Sequence, residues 1–348
     1  MAESGGGSDA RRRRVRSRLI LAAVTLLVVV GAAVGTFVLM TPRGAPGEGT
    51  APGPSASAGP SASASASLPA VESGPLNILV MGSDIRGNAR EAIAGQQANG
   101  GVADQRADMI MLIHVQADHR RIFGISIMRD LWVDIPGHGP SKINAGLALA
   151  GPQLVAETVS SLLSVRIDHW ALLDFDGFKA VTDALGGVDV NVPVAFTATF
   201  DTHHTFSQGV NHLDGQAALE FVRERYAFPD GDYQRVRDQQ AFVRSLVAQL
   251  LATGRVRGPA EAMGVVGLAM PYVITDPGLD ATGLAALGYA LREVDASSSA
   301  FFTLPTSGTG TSADGQSIVV PDYTGIADVA RALGSDALGE YAAAHGLS

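Results

Sequence analysis

The sequence contains no cysteine, so no disulfide can staple the chain and no thiolate can ligate a metal or attack a substrate. Charge is sparse, at 17% Asp, Glu, Lys and Arg, and aromatic residues make up only 6%. The charge present is lopsided, with 25 basic against 34 acidic residues and a formal net charge of −9. A nucleic-acid partner calls for a basic surface that displaces counterions from phosphates, so this balance argues against one. Stability must come from a core, and 46% hydrophobic content over 348 residues suffices for one large domain or two small ones. No internal repeat is evident.

Uncharged, largely apolar sequence runs unbroken only once at length, over residues 19–40 (LILAAVTLLVVVGAAVGTFVLM). It is long enough to cross a bilayer as a helix and too long for the apolar core of a cleaved signal peptide. Six arginines in RRRRVRSR (11–18) precede it and a lone Arg43 follows, which places residues 1–18 in the cytoplasm and everything after the span outside. Residues 41–74 are rich in Pro, Gly, Ser and Ala and read as a disordered tether. The remainder, 75–348, reads as an extracytoplasmic domain. Without the anchor arginines, Glu3 and Asp9, the outer part carries 19 basic and 32 acidic residues, a net charge of −13.

In that domain, LNILVM (76–81) reads as a buried strand that delivers Asp84 to its tip, and Asn88 to Val102 reads as a loop. Arg106-Ala-Asp108 opens a second strand, Met109 to Val115, which forms a hairpin with Arg121 to Met128. Arg129-Asp130 ends the third strand, LWVDIP is extended, and Lys142-Ile-Asn144 begins a mostly helical region that breaks at Gly151-Pro152. Strands follow at 169–175 and 188–194, with a helix at 176–185 between them. Further helices are expected near 259–269 and 281–294, strands at 300–304 and 317–320, a glycine/serine loop at 307–317, and a closing helix or two. Interleaved helices and strands predict an α/β fold, a sandwich with the sheet inside.

The charges concentrate between Asp214 and Leu251, where five arginines lie between Arg223 and Arg244. Val236, Val243, Val247 and Leu250 recur at helical spacing, with Asp232 expected as the N-cap after Pro229-Asp230-Gly231. Arg235 and Gln239, four apart, share a face off the apolar stripe. A basic residue early in a helix opposes the dipole unless an anion lies between them. A solvated helix end with Arg235 paired to Asp232 or Asp238 is the plainer alternative.

The charged residues at element ends are Asp84, Arg106, Asp108, Arg129, Asp130, Lys142, Arg223, Arg225, Asp232 and Arg235, with the amide of Gln239. Several arginines around one pocket suit a diphosphate, and two strand-tip aspartates supply hard oxygens for Mg²⁺ or Mn²⁺. Together they describe metal-assisted phosphoryl transfer. Taken singly, each has a plain structural explanation as an ion pair or a solvated face. His203-His204 with His212 makes a poor zinc site, because adjacent histidines rarely face one ion. Gly186-Gly187 is explained by a helix-to-strand turn.

The ordered motifs GSD-x-R (82–86), R-x-D (106–108), S-I-x-R-D (126–130), K-I-N (142–144), D-F-x-G-F…L-G-G-V (174–188), L-x-G-x-x-A-L-x-F-x-R-x-R (213–225) and G-D-x-x-R-x-x-x-Q (231–239) resemble the LytR-CpsA-Psr family over most of residues 76–252. The resemblance implies an α/β/α sandwich with a central mixed sheet and a deep apolar groove for a lipid. It also implies a ligase that takes a glycopolymer from a polyprenyl-pyrophosphate carrier and joins it by phosphodiester to peptidoglycan. Asp84 and Asp108 match the family's metal-binding aspartates. Arg106, Arg129, Lys142, Arg223, Arg225, Arg235 and Gln239 match its pyrophosphate-contacting positions, and Asp232 an acid that holds those arginines. The chain departs from the pattern at Met128, Met109 and Asp238, the last standing where an arginine is common and Arg237 is the nearest substitute. Residues 253–348 read as completing the same domain. A lipid-pyrophosphate hydrolase and a non-catalytic receptor for lipid-linked precursors use the same residues. High alanine, glycine and arginine usage suggests an actinobacterial wall, with teichoic acid or arabinogalactan among its polymers.

Overall fold

The computed structural model describes residues 68–71, 73–84, 91, 93, 95, 105–253, 257–294 and 299–347. The expected span at 19–40 and most of the expected tether lie outside them, and among the described residues no helix is long and apolar enough to cross a membrane.

Strand β1 (Leu76–Ser83) is paired along its length with β2 (Ala107–Val115), antiparallel, and β2 pairs with β3 (Ile122–Ser126) as the expected hairpin. A small hairpin of β4 (Trp132–Ile135) and β5 (Gly139–Lys142) follows. Lys142 therefore closes a strand rather than opening a helix; its backbone is held in register with Trp132, and helix α1 (Ala145–Ala150) begins only beyond Asn144. Gly151 breaks that helix from α2 (Pro152–Leu163), where proline at the first helical position forfeits no hydrogen bond. β6 (His169–Asp174) returns parallel to β1, and Asp174 caps α3 (Phe175–Ala184) by accepting from the Gly177 N–H at 2.7 Å.

Gly186 and Gly187 have φ of 81° and 82°, and the Gly187 N–H closes on the Thr182 carbonyl, so the pair ends α3 as a turn. The chain then builds β7 (Val188–Val192), the short hairpin β8 (Phe196–Thr197) and β9 (Thr205–Phe206), and β10 (Gly209–Leu213), which pairs back with β7. Asp214 caps α4 (Gly215–Arg223) through the Ala217 N–H, and α5 (Asp232–Ala252) follows. Asp232 lies inside the first turn of α5 rather than ahead of it as its cap.

The remaining chain supplies both outer strands of the sheet. α6 (Pro259–Ala269), β11 (Val273–Thr275), α7 (Ala281–Ala290) and β12 (Ala300–Thr303) precede a hairpin of β13 (Thr306–Thr311) and β14 (Ser317–Pro321), and helices α8 (Tyr323–Gly334) and α9 (Leu338–Ala344) close it. Residues 307–311 of the glycine/serine run expected as a loop are thus strand, because β14 fixes their register through pairs such as Thr309↔Val319, and only 312–316 form the turn.

The six-stranded sheet has the order β11-β6-β1-β2-β3-β12 and mixed directions. Alternation sends Ile78 and Val80 to one face and Leu79 and Met81 to the other, and each face has its own core. Helices α3 to α7 pack on the first through residues such as Val181, Phe221 and Phe242, while α2 and α8 cover the second through Val159 and Val329. Burying each such side chain contributes roughly 2 kcal/mol. Gly124 in β3 lets the Phe301 ring of β12 lie against the backbone, where a Cβ would meet that ring at 2.3 Å. The architecture is the expected helix, sheet, helix sandwich.

Candidate active site

β1, β3, β6 and β12 run parallel and β2 opposes them, so the carboxyl ends of four strands and the amino end of β2 share one rim. That rim is where an open sheet offers ligands a crevice. Asp84 follows β1, Asp108 is the second residue of β2, and Arg129 and Asp130 follow β3. Asp84 Oδ1 accepts from the Arg106 N–H at 2.8 Å, while the Arg106 side chain stands exposed. Burial raises the Asp84 carboxyl above its ordinary range; the Arg106 N–H opposes this and the charge of Asp108 reinforces it.

Arg129 links the rim into a network. Its guanidinium bonds Asp108 and lies 3.6 Å from Asp130, which in turn lies 3.4 Å from Lys142 Nζ. From the start of α5, Asp232 Oδ1 accepts Arg235 at 2.7 Å and Arg225 at 3.4 Å. Burial alone would lower the Arg129 guanidinium, but Asp108, Asp232 and Asp130 outweigh it and hold it above its ordinary value. Arg235, only 5% exposed, is pushed down to about 10 by burial and then by the charge of Arg129. The Nε groups of both arginines are buried without a hydrogen-bond partner. Such donors are costly unless an acceptor arrives.

Beside this network an apolar cavity of about 820 Å³, counting the space that opens to solvent, lies between the sheet and helices α3, α4 and α5. Val80, Ala171, Phe178, Leu219, Phe242 and Val243 line it, and Asp108, Arg223 and Gln239 bring polar groups to it. Gln239 Nε2 donates to the Val222 carbonyl at 3.1 Å and ties α5 to α4. Arg223 pairs with Asp201 at 3.3 Å and packs on the rings of Phe175 and Phe200.

Asp84, Asp108, Arg129, Lys142, Arg225, Asp232 and Arg235 are therefore one cluster, with the Arg106 backbone in it and Arg223 and Gln239 at the adjoining cavity. Asp84 and Asp108 would offer a divalent cation such as Mg²⁺ or Mn²⁺ the hard carboxylate oxygens it takes. Among the described residues no group of three or more His, Asp or Glu could hold a metal unaided. His203 Nδ1 donates to the Ala198 carbonyl and His212 pairs with Asp189, so these histidines serve the hairpins around them. Arg237 does not replace the charge missing at Asp238, since its guanidinium turns to Asp230 and Gln234.

Two acids escaped the sequence reading. Glu220 and Glu224, both 0% exposed, fasten the β8–β9 hairpin to α4. Glu220 accepts from the N–H groups of Thr202 and His204, and Glu224 from those of Thr199, Arg225, Tyr226 and Ala227. Thr199, Thr202 and His204, their partners in the hairpin, lie 16 to 25 residues upstream, where no local pattern marks them.

Similarity to known proteins agrees with this geometry. The chain is 32% identical over 221 residues to the regulatory protein MsrR of Staphylococcus aureus, an alignment that spans 62% of each protein. It is 35% identical over 177 residues to the polyisoprenyl-teichoic acid–peptidoglycan teichoic acid transferase TagU of Bacillus cereus, covering 51% of this chain and 53% of that one. The chain thus spans little more than half to six tenths of these relatives. The crystal structure of B. subtilis TagV superposes with a TM-score of 0.63 at 25% identity, over 77% of this chain and 98% of that one. Residues 54–334 match the LytR_cpsA_psr family, and to that family the chain belongs.

Proposed function

We propose that the protein is a phosphotransferase that moves a wall glycopolymer from a polyprenyl-pyrophosphate carrier to a peptidoglycan hydroxyl and leaves it joined through a phosphodiester. The observation that carries this reading is the pair of buried arginine donors, Arg235 Nε and Arg129 Nε, neither making a hydrogen bond, the latter 3.6 Å from Asp130 Oδ2, beside an apolar cavity. An anion attached to a long apolar chain satisfies both at once. The activity named for the TagU relative is of this kind.

In this reading the prenyl chain enters the cavity and its pyrophosphate meets Arg223, Arg225, Arg129 and Arg235, with Lys142 and Arg106 at the margin. Bidentate guanidinium contacts orient the two phosphates and offset their charge. Asp84 and Asp108 would hold Mg²⁺ or Mn²⁺, which when bound supplies neutralisation of charge on the phosphate oxygens. The acceptor hydroxyl attacks the phosphorus that adjoins the glycan, forming a new O–P bond. The bond from that phosphorus to the bridging oxygen breaks in line with it, and polyprenyl phosphate leaves toward the cavity. The hydroxyl proton passes to a site aspartate. Asp232 keeps Arg225 and Arg235 in place throughout. The apolar run at 19–40 would keep the domain at the outer membrane surface, where carrier and acceptor meet.

The test incubates the full chain in detergent with Mg²⁺, a polyprenyl-pyrophosphate-linked oligosaccharide and peptidoglycan fragments, and identifies products by mass spectrometry. The expected product is glycan joined to the acceptor through one phosphate, absent with chelator and in Asp108→Ala. Free glycan phosphate without adduct would instead establish a hydrolase, and tight lipid binding without turnover a receptor.

A further inference from the structure

Arg223 is the arginine that lines the apolar cavity itself; Arg129, Arg225 and Arg235 stand beyond it, around Asp108 and Asp232. If a prenyl chain fills the cavity, as the proposed function has it, the first cation its own phosphate meets is Arg223. The tip of the β8–β9 hairpin shares in holding that guanidinium. Phe200 and Asp201 reach Arg223 at 4.8 Å to the ring centre and 3.3 Å to the carboxylate, and the Phe175 ring also lies against it at 4.3 Å.

The hairpin is fixed independently of this contact. Phe196 and Phe206 stack on each other and pack on Phe221 and Phe228, anchoring its base. Glu220 and Glu224, one turn apart on α4, grip Thr199, Thr202 and His204, which bracket Phe200 and Asp201 in sequence. The tip is also bent tightly, with Asp201 and His203 in the left-handed region at φ of 55° and 56°. None of these restraints uses Phe200, whose ring faces the cation. Contact with a ring face consumes no N–H, so among the described residues only Nη1 of Arg223 is engaged, and by Asp201. The rest of the guanidinium edge keeps its donors for a ligand.

We propose that the β8–β9 hairpin is a positioning device for the lipid-side phosphate of the donor, acting through Phe200 on Arg223. Phe200 is a positioning residue, since it touches the arginine and not the phosphate. The hairpin thereby sets the distance between the filled cavity and the first phosphate, and the class of ligand it reads is a prenyl monophosphate or the proximal half of a prenyl pyrophosphate.

The experiment measures binding of geranylgeranyl phosphate to the full chain in detergent micelles by calorimetry, with no transfer required. Phe200→Ala should weaken binding about three- to fivefold, the value of a lost cation–π contact, and Phe200→Tyr should restore it. In an Arg223→Ala background the same Phe200→Ala change should have no effect, since its action runs through the arginine. Phe200→Leu, which keeps bulk, gives the same test should the alanine variant unfold. Equal losses in both backgrounds, or none in either, overturn the proposal. So does an equal loss for inorganic pyrophosphate, which no chain steers to Arg223. Failure of the unmodified protein to bind geranylgeranyl phosphate would overturn the donor reading as well, which separates the two failures.

Discussion

Glu224 at the end of α4 and Asp238 on α5 are both closed to solvent, 0% and 2% exposed, with Asp238 the more deeply enclosed, and their carboxyls move in opposite directions. Burial raises both. At Glu224 the N–H groups of Thr199, Ala227, Arg225 and Tyr226 overcome it and hold the carboxyl below its ordinary range. Asp238 receives one amide from Gln234 at 2.8 Å, its Oδ2 has no partner, and it is pushed up to about 7. The turn after α4 is a finished scaffold, complete without a ligand. The start of α5 is unfinished, with Arg235 Nε and Asp238 Oδ2 unmet and Arg129 Nε likewise across from it. Native proteins leave few such groups, so where they cluster a ligand or a titration is expected.

The strongest way to break this contrast is to remove an unfinished donor. Arg129→Ala should reduce glycan transfer at least about 100-fold, as loss of a group that stabilises developing charge does. The fold should persist, because Arg129 meets only half-buried acids, Asp108 and Asp130. Transfer measured by mass spectrometry beside a thermal melt checks both halves; a folded variant that keeps its activity would sink the assignment.

Asp238 comes next. Its folded carboxyl titrates near 7 against an ordinary 3.8, so between these values the folded state holds a proton that the unfolded state has released. Stability should therefore fall as pH rises from about 4 to about 7, by up to about 4 kcal/mol, and then level off with respect to this group. Asp238→Asn should remove that slope and be most stabilising at alkaline pH. Urea midpoints at several pH values decide it, and parallel curves for parent and variant would show the carboxyl to be better satisfied than its geometry indicates. At the finished site the effect reverses: Glu224→Ala should cost about 3 kcal/mol, because it strands several buried N–H groups together. A melting temperature unchanged in that variant would falsify the scaffold role.

The two regions also differ in how much of them the sequence reveals. Asp84, Asp108 and Arg129 were legible because they interrupt or end apolar strands, and the unbroken runs of β1 and β2 announce a buried sheet. The strands β5 and β13 were not legible, since GPSK and TSGTGT carry little strand preference and exist through β4 and β14. Glu220 and Glu224 were hidden for a related reason. Their partners in the hairpin lie 16 to 25 residues upstream, and the strands of that hairpin are two residues each. Phe200 and Asp201 were invisible for as long as that hairpin was.

Arg237 gives the smallest and sharpest prediction. It stands next to Asp238, where the family resemblance leads to the expectation of an arginine, and by position alone it could substitute for it. Its guanidinium instead lies half exposed against Asp230, with Nε donating to Gln234 Oε1 at 3.1 Å. An exposed pair of this kind is worth about 0.5 kcal/mol or less, so Arg237→Ala should barely shift the melt and should leave transfer within about twofold. The same change should act on Asp238 from a distance, since Arg237 is among the charges that lower that carboxyl. Without it, the level stretch of the stability curve should begin at a higher pH. A tenfold loss of transfer in Arg237→Ala would place the residue in the unfinished cluster after all, and would mean that the chain compensates for Asp238 through a side chain that turns inward when the donor binds.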